Sequence, residues 1–279
     1  MSGTLYLVAT PIGNLEDMTF RAVRILNEVD LIAAEDTRTS APLLAHYEIK
    51  TPMTSYHEFN KLDKGETLID KLKSGQNIAI ITDAGTPGIS DPGEELVARC
   101  FEEDIEVFAV PGAVAAVTAV TTSGQHCRRF AFEAFLPKQK KDRKRILDEL
   151  KEETRTIIIY EAPHHLLETL KEIKEALGDD REITCCRELT KKFEEKLKMT
   201  LKEAVSYYEE NEPRGEFVLC IAGKSRQQVE EEQKAKWEEI SLEEHVQSYV
   251  NQGMDKKEAM KAVAKDRGLS KRDVYNALL

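Results

Sequence analysis

Three short loops hold the residue types best suited to binding a small ligand. The first, Thr10-Pro-Ile-Gly-Asn14, follows an apolar strand predicted over residues 5–9. The second follows a strand over residues 78–82, and residues 80–93 contain three glycines, two prolines and two aspartates. The third is Val110-Pro-Gly-Ala-Val-Ala115, whose small side chains could lie against a planar ring. Because ligands of α/β sheets bind beyond the carboxyl ends of the strands, the three loops together predict one binding site.

The sequence lacks the motifs of several other kinds of site. No G-x-G-x-x-G motif is present, so a dinucleotide site is not predicted. The six histidines show no H-x-x-x-H spacing and the five cysteines no C-x-x-C spacing, so we expect no metal. We interpret the cysteines as buried free thiols, which are typical of a reducing compartment. They are Cys100, Cys127, Cys185, Cys186 and Cys220.

Polar side chains near strand ends are candidates for acid–base chemistry. The first candidates are Glu35, Asp36 and Arg38, which follow a predicted strand over residues 31–34, with the two carboxylates two or three positions before Arg38. These carboxylates either act in the cleft, or cap the next helix and pair with Arg38, and the sequence leaves both possibilities open. Lys191 is our preferred cationic group for assisting a neutral nucleophile. The remaining polar candidates are His57, Glu161, Arg187 and Glu188.

Basic clusters could contact nucleic acid although the net charge of the chain is −11. One cluster is typical of a solvated helix start, but in so acidic a chain we interpret it as a phosphate-binding surface. It comprises Lys138, Lys140, Lys141, Arg143, Lys144 and Arg145. A C-terminal cluster could follow a phosphate backbone or only keep a small module in solution. It comprises Lys256, Lys257, Lys261, Lys265, Arg267, Lys271 and Arg272.

The elements that must position these residues alternate between short apolar runs and amphipathic helical patterns, which predicts an α/β architecture. Strands are predicted at residues 5–9, 31–34, 78–82, 105–110, 130–135, 156–160, 182–187 and 216–222. Helices are predicted at residues 19–28, 40–46, 66–73, 91–99, 113–122, 142–151, 164–177 and 201–209. We place one α/β domain at residues 1–122 and a second at residues 123–223.

The chain beyond the second α/β domain differs from the preceding part in composition and in its predicted secondary structure. Residues 224–240 are almost wholly charged and polar, and we interpret them as a linker or a solvated helix. Residues 241–279 show three short helical patterns with capping residues, which predicts a trihelical module. The predicted capping boxes are Ser241 with Glu244 and Asp255 with Glu258, Gly268 ends the second helix, and Ser270 starts the third.

The composition is typical of a globular protein, with 41% hydrophobic and 33% charged residues. The longest apolar run, residues 105–120, is broken by Pro111 and Gly112 and is shorter than the roughly 20 residues of a membrane helix. The first residues lack the basic start and long apolar stretch of a signal peptide. We therefore expect a cytoplasmic protein without a membrane partner.

The order of the motifs resembles one known family closely. L-Y-L-V-A-T-P-I-G-N opens the chain, and A-A-E-D-T-R, T-D-A-G-T-P-G-I-S-D-P-G and V-P-G-A follow in that order. F-x-F-x-x-F-L-P, Y-E-A-P-H, R-E-L-T-K and G-E-F-V-L continue the match through the second half. The chain resembles the ribosomal RNA small-subunit methyltransferase I group of the tetrapyrrole methylase superfamily, over nearly its whole length. Its C-terminal module is similar to the helix-turn-helix-like tail of that group.

The resemblance implies two α/β domains of the class III methyltransferase fold, with S-adenosylmethionine in the cleft between them, usually in a homodimer. The implied reaction is 2′-O-methylation of a cytidine in the decoding region of 16S rRNA. The implied cofactor contacts are Pro11, Ile12, Gly13, Asp83, Gly85, Thr86, Ile89, Val114, Ala115, Tyr160, Gly215 and Phe217. The group often has an arginine after Pro-His, where this chain has His165, so a role for that arginine in RNA binding does not carry over.

Other functions are compatible with the same sequence. One is methylation of a tetrapyrrole precursor or, as in diphthine synthase, of a protein, although neither acceptor needs the basic run or the trihelical tail. Another is a non-catalytic RNA-binding assembly factor. Failure to bind the cofactor would distinguish such a factor from an enzyme. A related hypothesis is that the acceptor is the folded small ribosomal subunit, because the basic surface is modest.

Overall fold

A computed structural model describes residues 2–225, 228, 229, 231, 237 and 240–278. The chain forms two compact units, Met1–Ala222 and Gly223–Leu279. The predicted division at residue 122 falls inside the first unit and stays a prediction. Among the described residues, no helix is both long and apolar enough to cross a membrane. No cluster of histidine, cysteine and acidic side chains in these residues could hold a metal ion.

The first sheet is parallel throughout and has the strand order β3-β2-β4-β1-β5. Its strands are β1 (Leu5–Val8), β2 (Leu31–Ala34), β3 (Met53–Ser55), β4 (Ile78–Ile81) and β5 (Val107–Val110). Its helices are α1 (Phe20–Glu28), α2 (Thr37–His46), α3 (Lys61–Lys73) and α4 (Glu94–Glu102). One apolar cluster joins α1 and α2 to the sheet and another joins α3 and α4 to it. Helices therefore cover both faces, as parallel sheets require.

The second sheet is mixed and has the order β6-β7-β10-β8-β9, in which only β6 and β7 pair in parallel. Its strands are β6 (Phe130–Phe135), β7 (Thr156–Glu161), β8 (Glu182–Arg187), β9 (Glu195–Thr200) and β10 (Phe217–Ile221). Three helices share one apolar cluster with this sheet. They are α6 (Lys140–Leu150), α7 (Leu166–Leu177) and α8 (Leu201–Glu210).

Helix α5 (Ala115–Thr122) contacts β7 and β10 of the second sheet, although it follows β5 of the first. A separate apolar cluster contains Ile12 from the first half, Val120 of α5, and Ile158 and Val218 of the second sheet. The two α/β halves therefore share a core, and the cleft between them belongs to one compact unit.

The structure confirms the α/β class and corrects several predicted elements. Helix α4 begins at Glu94, so Asp91 is in the preceding loop and not in the first helical turn. Helix α3 begins five residues earlier than predicted. Strands β3 and β9 were not predicted, because β3 has three residues and β9 (Glu-Lys-Leu-Lys-Met-Thr) is a charged edge strand without a continuous apolar run. Cys127 is exposed, whereas the other four cysteines are buried as predicted.

The C-terminal unit contains α9 (Leu242–Asn251), α10 (Lys256–Asp266) and α11 (Lys271–Ala277). Ser241 and Glu244 form the predicted capping box of α9. Asp255 caps α10 by accepting a hydrogen bond from the backbone N–H of Lys257, in place of the predicted exchange with Glu258. The helices enclose a small apolar core that includes Val246, Val263 and Val274. Most of the predicted linker, residues 224–240, lies outside the described residues.

The stability of the second sheet should depend on its central strand, β10, where Leu219 is fully buried. We expect Leu219→Ala to lower the free energy of unfolding by about 2–5 kcal/mol, because it removes apolar contacts and leaves a cavity. Urea unfolding followed by circular dichroism measures the change. The same truncation at Leu62, which is 65% exposed on α3, should change the unfolding free energy by less than about 0.5 kcal/mol. Equal losses in the two variants would contradict this prediction.

Candidate active site

The three loops after β1, β4 and β5 are hydrogen-bonded to one another. Thr10 N donates to Gly85 O at 2.8 Å and Gly85 N donates to Thr10 O at 3.2 Å. The Thr10 hydroxyl also donates to Thr82 O at 3.1 Å, and the Thr86 hydroxyl donates to Ala113 O at 3.1 Å. Because these bonds satisfy buried polar groups, the loops form one rigid floor at the carboxyl edge of the first sheet.

A cavity of about 460 Å³ lies between this floor and the second sheet. Its volume falls within the range of roughly 300–1,000 Å³ that is usual for small-molecule sites. Nine of the twelve predicted cofactor contacts line it: Ile12, Asp83, Gly85, Thr86, Ile89, Val114, Ala115, Tyr160 and Phe217. Sequence positions from 12 to 217 are therefore brought to one cavity, which we call the first cavity.

A second cavity of about 380 Å³ adjoins the first one. The two share Ile12, Asp83, Ala84 and Glu216 in their walls. The predicted cofactor residues Pro11 and Gly13 line the second cavity and not the first, and Lys191 lies beside them. Gly215 is in the lining of neither cavity and is packed against Glu188.

Tyr160 joins the two halves at the first cavity. Its hydroxyl accepts a hydrogen bond from Ala116 N, in the first turn of α5, at 3.0 Å. Its ring makes edge contacts with Phe132 and Phe135 of β6. Burial raises the pKa of the Tyr160 hydroxyl, so it stays protonated. Tyr160 therefore holds α5 and β7 at a fixed separation.

Five carboxylates line the first cavity, and three of them, Glu35, Asp83 and Asp91, come from the first half of the chain. Asp83 N donates to Glu35 Oε2 at 3.3 Å, and Asp36 N donates to Asp83 Oδ1 at 3.3 Å. Burial raises the pKa of Glu35 and of Asp83. Burial, with the charges of Glu35 and Asp83, raises the pKa of Asp91 to about 7. The cavity thus concentrates negative charge that a cationic ligand would offset.

Asp36 and Arg38 pair with each other at the start of α2. Asp36 Oδ1 accepts a hydrogen bond from Arg38 N at 2.8 Å, and its Oδ2 lies 2.6 Å from Arg38 Nη2. The hydrogen bonds from Arg38 lower the pKa of Asp36 to about 2, which makes it a poor base near neutral pH. Of the two possibilities that the sequence left open, Asp36 adopts the helix cap with an ion pair, whereas Glu35 faces the cavity.

Lys191 is held by two carboxylates at the edge of the second cavity. Its Nζ donates to Glu188 Oε1 at 3.0 Å and to Glu216 Oε2 at 2.8 Å. Partial burial lowers the pKa of Lys191, but these two bonds outweigh it and raise the pKa overall. Lys191 is therefore a cation and a hydrogen-bond donor, and not a base.

Two glycines make room for this ion-pair cluster. Gly13 has φ +142°, and a Cβ there would lie 2.4 Å from Lys191 Cγ. Gly215 has φ +82°, and a Cβ there would lie 2.5 Å from Glu188 Cγ. Side chains are excluded at both positions by strain and by contact. The glycines therefore fix the path of Lys191 and Glu188, which a sequence pattern alone did not reveal.

The other polar candidates have different surroundings. Glu161 is 7% exposed in the wall of the first cavity, and it accepts hydrogen bonds from Ala162 N at 2.8 Å and from the Thr169 hydroxyl. Arg187 Nε lies 3.1 Å from Glu195 Oε2 across the β8–β9 pair. His57 lines neither cavity.

The basic cluster after Pro137 begins helix α6. Arg143 is mostly buried, forms an ion pair with Glu172, and donates to the Thr169 hydroxyl at 2.6 Å. Arg145 pairs with Glu149 on the same helix at 3.3 Å. Four exposed lysines remain, and no ion pair to them is found among the described residues. They are Lys138, Lys140, Lys141 and Lys144.

Several lining residues were not among the individual contacts that the sequence analysis named. Asp91 was assigned to a helix start, although its Asp-Pro-Gly context already favoured a loop. Cys186 of β8 and Leu189, two residues after that strand, line the first cavity, and Glu216 lines both cavities. No local pattern distinguishes these residues, because their place in the wall depends on how the halves pack.

Comparisons with known proteins identify the family and the fold of this chain. Residues 4–205 match the family model of the Tetrapyrrole (Corrin/Porphyrin) Methylases. The fold is similar to that of diphthine synthase, with a TM-score of 0.64 at 10% identity, covering 79% of this chain and 90% of the other. It is also similar to uroporphyrin-III C-methyl transferase from Thermus thermophilus complexed with S-adenyl homocysteine, with a TM-score of 0.58 at 18% identity, covering 79% and 97%. These structures show the fold alone.

Two relatives that match nearly the whole chain are each named ribosomal RNA small subunit methyltransferase I. The protein of Halalkalibacterium halodurans is 52% identical over 98% of this chain and 94% of the relative. That of Bacillus subtilis is 50% identical over 99% of this chain and 94% of the relative. The chain therefore belongs to the tetrapyrrole methylase family and, within it, to the ribosomal RNA small subunit methyltransferase I group.

Proposed function

We propose that the protein methylates 16S ribosomal RNA with S-adenosylmethionine as the methyl donor, at the ribose 2′-oxygen of a cytidine in the decoding region. The single observation that supports the proposal most is the first cavity, in which nine predicted cofactor contacts from separate segments meet. The relatives that share about half of their residues with this chain carry the matching name.

The first cavity suits the proposed cofactor in shape and charge. Ile12, Ile89 and Val114 give it apolar walls for a planar ring, while Glu35, Asp83 and Asp91 provide negative charge for a cation. When bound, S-adenosylmethionine supplies a methyl group activated on a positively charged sulfur. The interlocked loops would hold it through backbone groups and small side chains.

Glu35 and Lys191 are the side chains to which we assign the acceptor chemistry. Glu35 lines the first cavity, and its raised pKa suits a carboxylate that accepts the proton of a ribose hydroxyl. Lys191 is a fixed cation that can orient the acceptor by donating a hydrogen bond. In this proposal Asp36 and Arg38 stabilise the start of α2 and do not take part in proton transfer.

The RNA strand would be held by the exposed lysines of the α6 cluster, since phosphate contacts position a nucleic acid without reading its sequence. Four such lysines form a small surface in a chain of net charge −11. We therefore propose the small ribosomal subunit, and not naked rRNA, as the acceptor. The proposal includes a homodimer, which the sequence resemblance implies, and the cytoplasmic location that is expected from the sequence.

Incubation with tritiated S-adenosylmethionine and small subunits that lack the modification should label 16S rRNA. Nuclease mapping should place the label on a cytidine 2′-oxygen, because the site combines a cofactor cavity with a base and a cation for a sugar hydroxyl. Cofactor binding without label transfer would shift the proposal to a tetrapyrrole or protein acceptor. Failure to bind the cofactor would indicate a non-catalytic assembly factor.

Asp91→Asn should weaken cofactor binding at pH 8 by about tenfold, because it removes a charge that can pair with the bound cation. In the unmodified protein, affinity should fall as the pH drops below about 7, where Asp91 takes up a proton. Isothermal titration calorimetry between pH 5 and pH 8 measures both effects. The variant should show a flatter pH profile.

The same variant should be more stable than the unmodified protein at pH 8, and the difference should vanish below about pH 4, where Asp91 is protonated in both the folded and the unfolded state. The folded state keeps the Asp91 proton up to about pH 7, whereas the unfolded chain loses it near pH 4, so stability falls as the pH rises between these values. Asp63→Asn, at an exposed position of α3, is the control and should change neither property. A pH-independent affinity in the unmodified protein would exclude this role for Asp91.

Lys191→Gln should lower kcat by about a hundredfold or more while the cofactor Kd stays within about twofold. We expect kcat to fall without a matching change in the cofactor Kd, because Lys191 lines the second cavity and not the first. Lys192→Gln, at the exposed neighbouring position, is the matched control. An equal loss of cofactor affinity in Lys191→Gln would mean that Lys191 only supports the fold of the first cavity.

A further inference from the structure

The second cavity adjoins the proposed cofactor site, and most of its lining residues are not predicted cofactor contacts. It is bounded by Pro11 and Gly13 of the first loop, by Ser40 and Leu43 of α2, and by Lys191. Its wall is shared with the first cavity through Ile12, Asp83, Ala84 and Glu216. A group seated in the second cavity therefore lies next to whatever occupies the first.

Ser40 carries an unsatisfied polar group in the wall of this cavity. The residue is 3% exposed, and its hydroxyl has no hydrogen-bond partner among the described residues. The nearby hydroxyls of Thr10 and Thr86, in contrast, both donate to backbone carbonyls. A buried hydroxyl without a partner costs stability. It can turn toward the cavity by rotation about one side-chain bond without losing an existing hydrogen bond.

The chemistry of the second cavity favours a nucleoside over a free anion. Lys191 is the cation of its lining, and it is already paired with Glu188 and Glu216. Asp83 adds a further carboxylate to the wall. Pro11 and Leu43 offer apolar surface for a flat ring. A volume of about 380 Å³ is in the range of pockets that hold small organic molecules.

We propose that the second cavity binds the acceptor nucleoside after its base and ribose have been extruded from the RNA strand, with the Ser40 hydroxyl as a hydrogen-bond partner. The inference rests on the proposed function and names the part of the RNA that enters the protein. Enzymes that modify one nucleotide commonly extrude it, and contacts in the pocket offset the lost stacking. Glu35 lines the first cavity and Lys191 lines the second, so the side chains assigned to the acceptor chemistry come from both adjoining cavities.

Ser40→Ala is the most informative test, because it should impair function without lowering stability. We expect KM for small ribosomal subunits to rise about tenfold, the effect of losing one hydrogen bond. The cofactor Kd should stay within about twofold. The melting temperature should be unchanged or higher, because the variant removes a buried hydroxyl that has no partner in the free protein.

Leu43→Trp tests the cavity itself by filling it. Methyl transfer should fall by about a hundredfold or more while cofactor binding is retained, which also shows that the variant is folded. Ala41→Val is the matched control on α2, since Ala41 is exposed and absent from the lining of either cavity. It should transfer methyl groups as the unmodified protein does.

These experiments distinguish failure of the nucleoside-binding inference from failure of the proposed function on which it rests. No label on rRNA from the unmodified protein, despite cofactor binding, would overturn the proposed function and the inference with it. Label from the unmodified protein together with an unchanged KM in Ser40→Ala would overturn the inference alone. A raised KM in Ser40→Ala would support it when the cofactor Kd is unchanged and the melting temperature is unchanged or higher.

Discussion

Helix α5 leaves the first sheet and packs on the second, and the geometry of the cleft depends on that packing. Val120 of α5 shares an apolar cluster with Ile158 and Val218, and Ile12 joins it from the first loop. The hydrogen bond from Ala116 N to the Tyr160 hydroxyl adds a directional constraint. Because apolar burial is strong but non-directional, the hydrogen bond is what sets the separation of the walls.

The first cavity combines a rigid floor with buried carboxylates that lower the stability of the ligand-free protein. The reciprocal bonds between Thr10 and Gly85 fix the loops without a ligand. Burial of Asp91 near Glu35 and Asp83, by contrast, raises the pKa of Asp91 to about 7 and destabilises its charged form. Such an arrangement is expected at a binding site, where a cationic ligand offsets a cost that the protein carries alone.

The first loop and the second half of the chain meet at the edge of the second cavity. Gly13 has no space for a side chain because Lys191 passes over it, and Gly215 has none because of Glu188. These contacts bring residues far apart in sequence into one ion-pair cluster at the edge of the second cavity. The unsatisfied Ser40 hydroxyl gives that cavity a polar group for a ligand.

The sequence by itself determined the α/β class and most of the helices and strands, because strand periodicity and Gly-Pro loops are local signals. The nine predicted contacts that line the first cavity came from the resemblance of its motifs to a known family. Only the tertiary structure decided that Asp91 and Cys186 face the same cavity and that Asp36 pairs with Arg38 while Glu35 does not. It also revealed that Gly13 and Gly215 accommodate side chains of the ion-pair cluster. Such relations depend on contacts between segments up to about 200 positions apart, which no local pattern of residue types encodes.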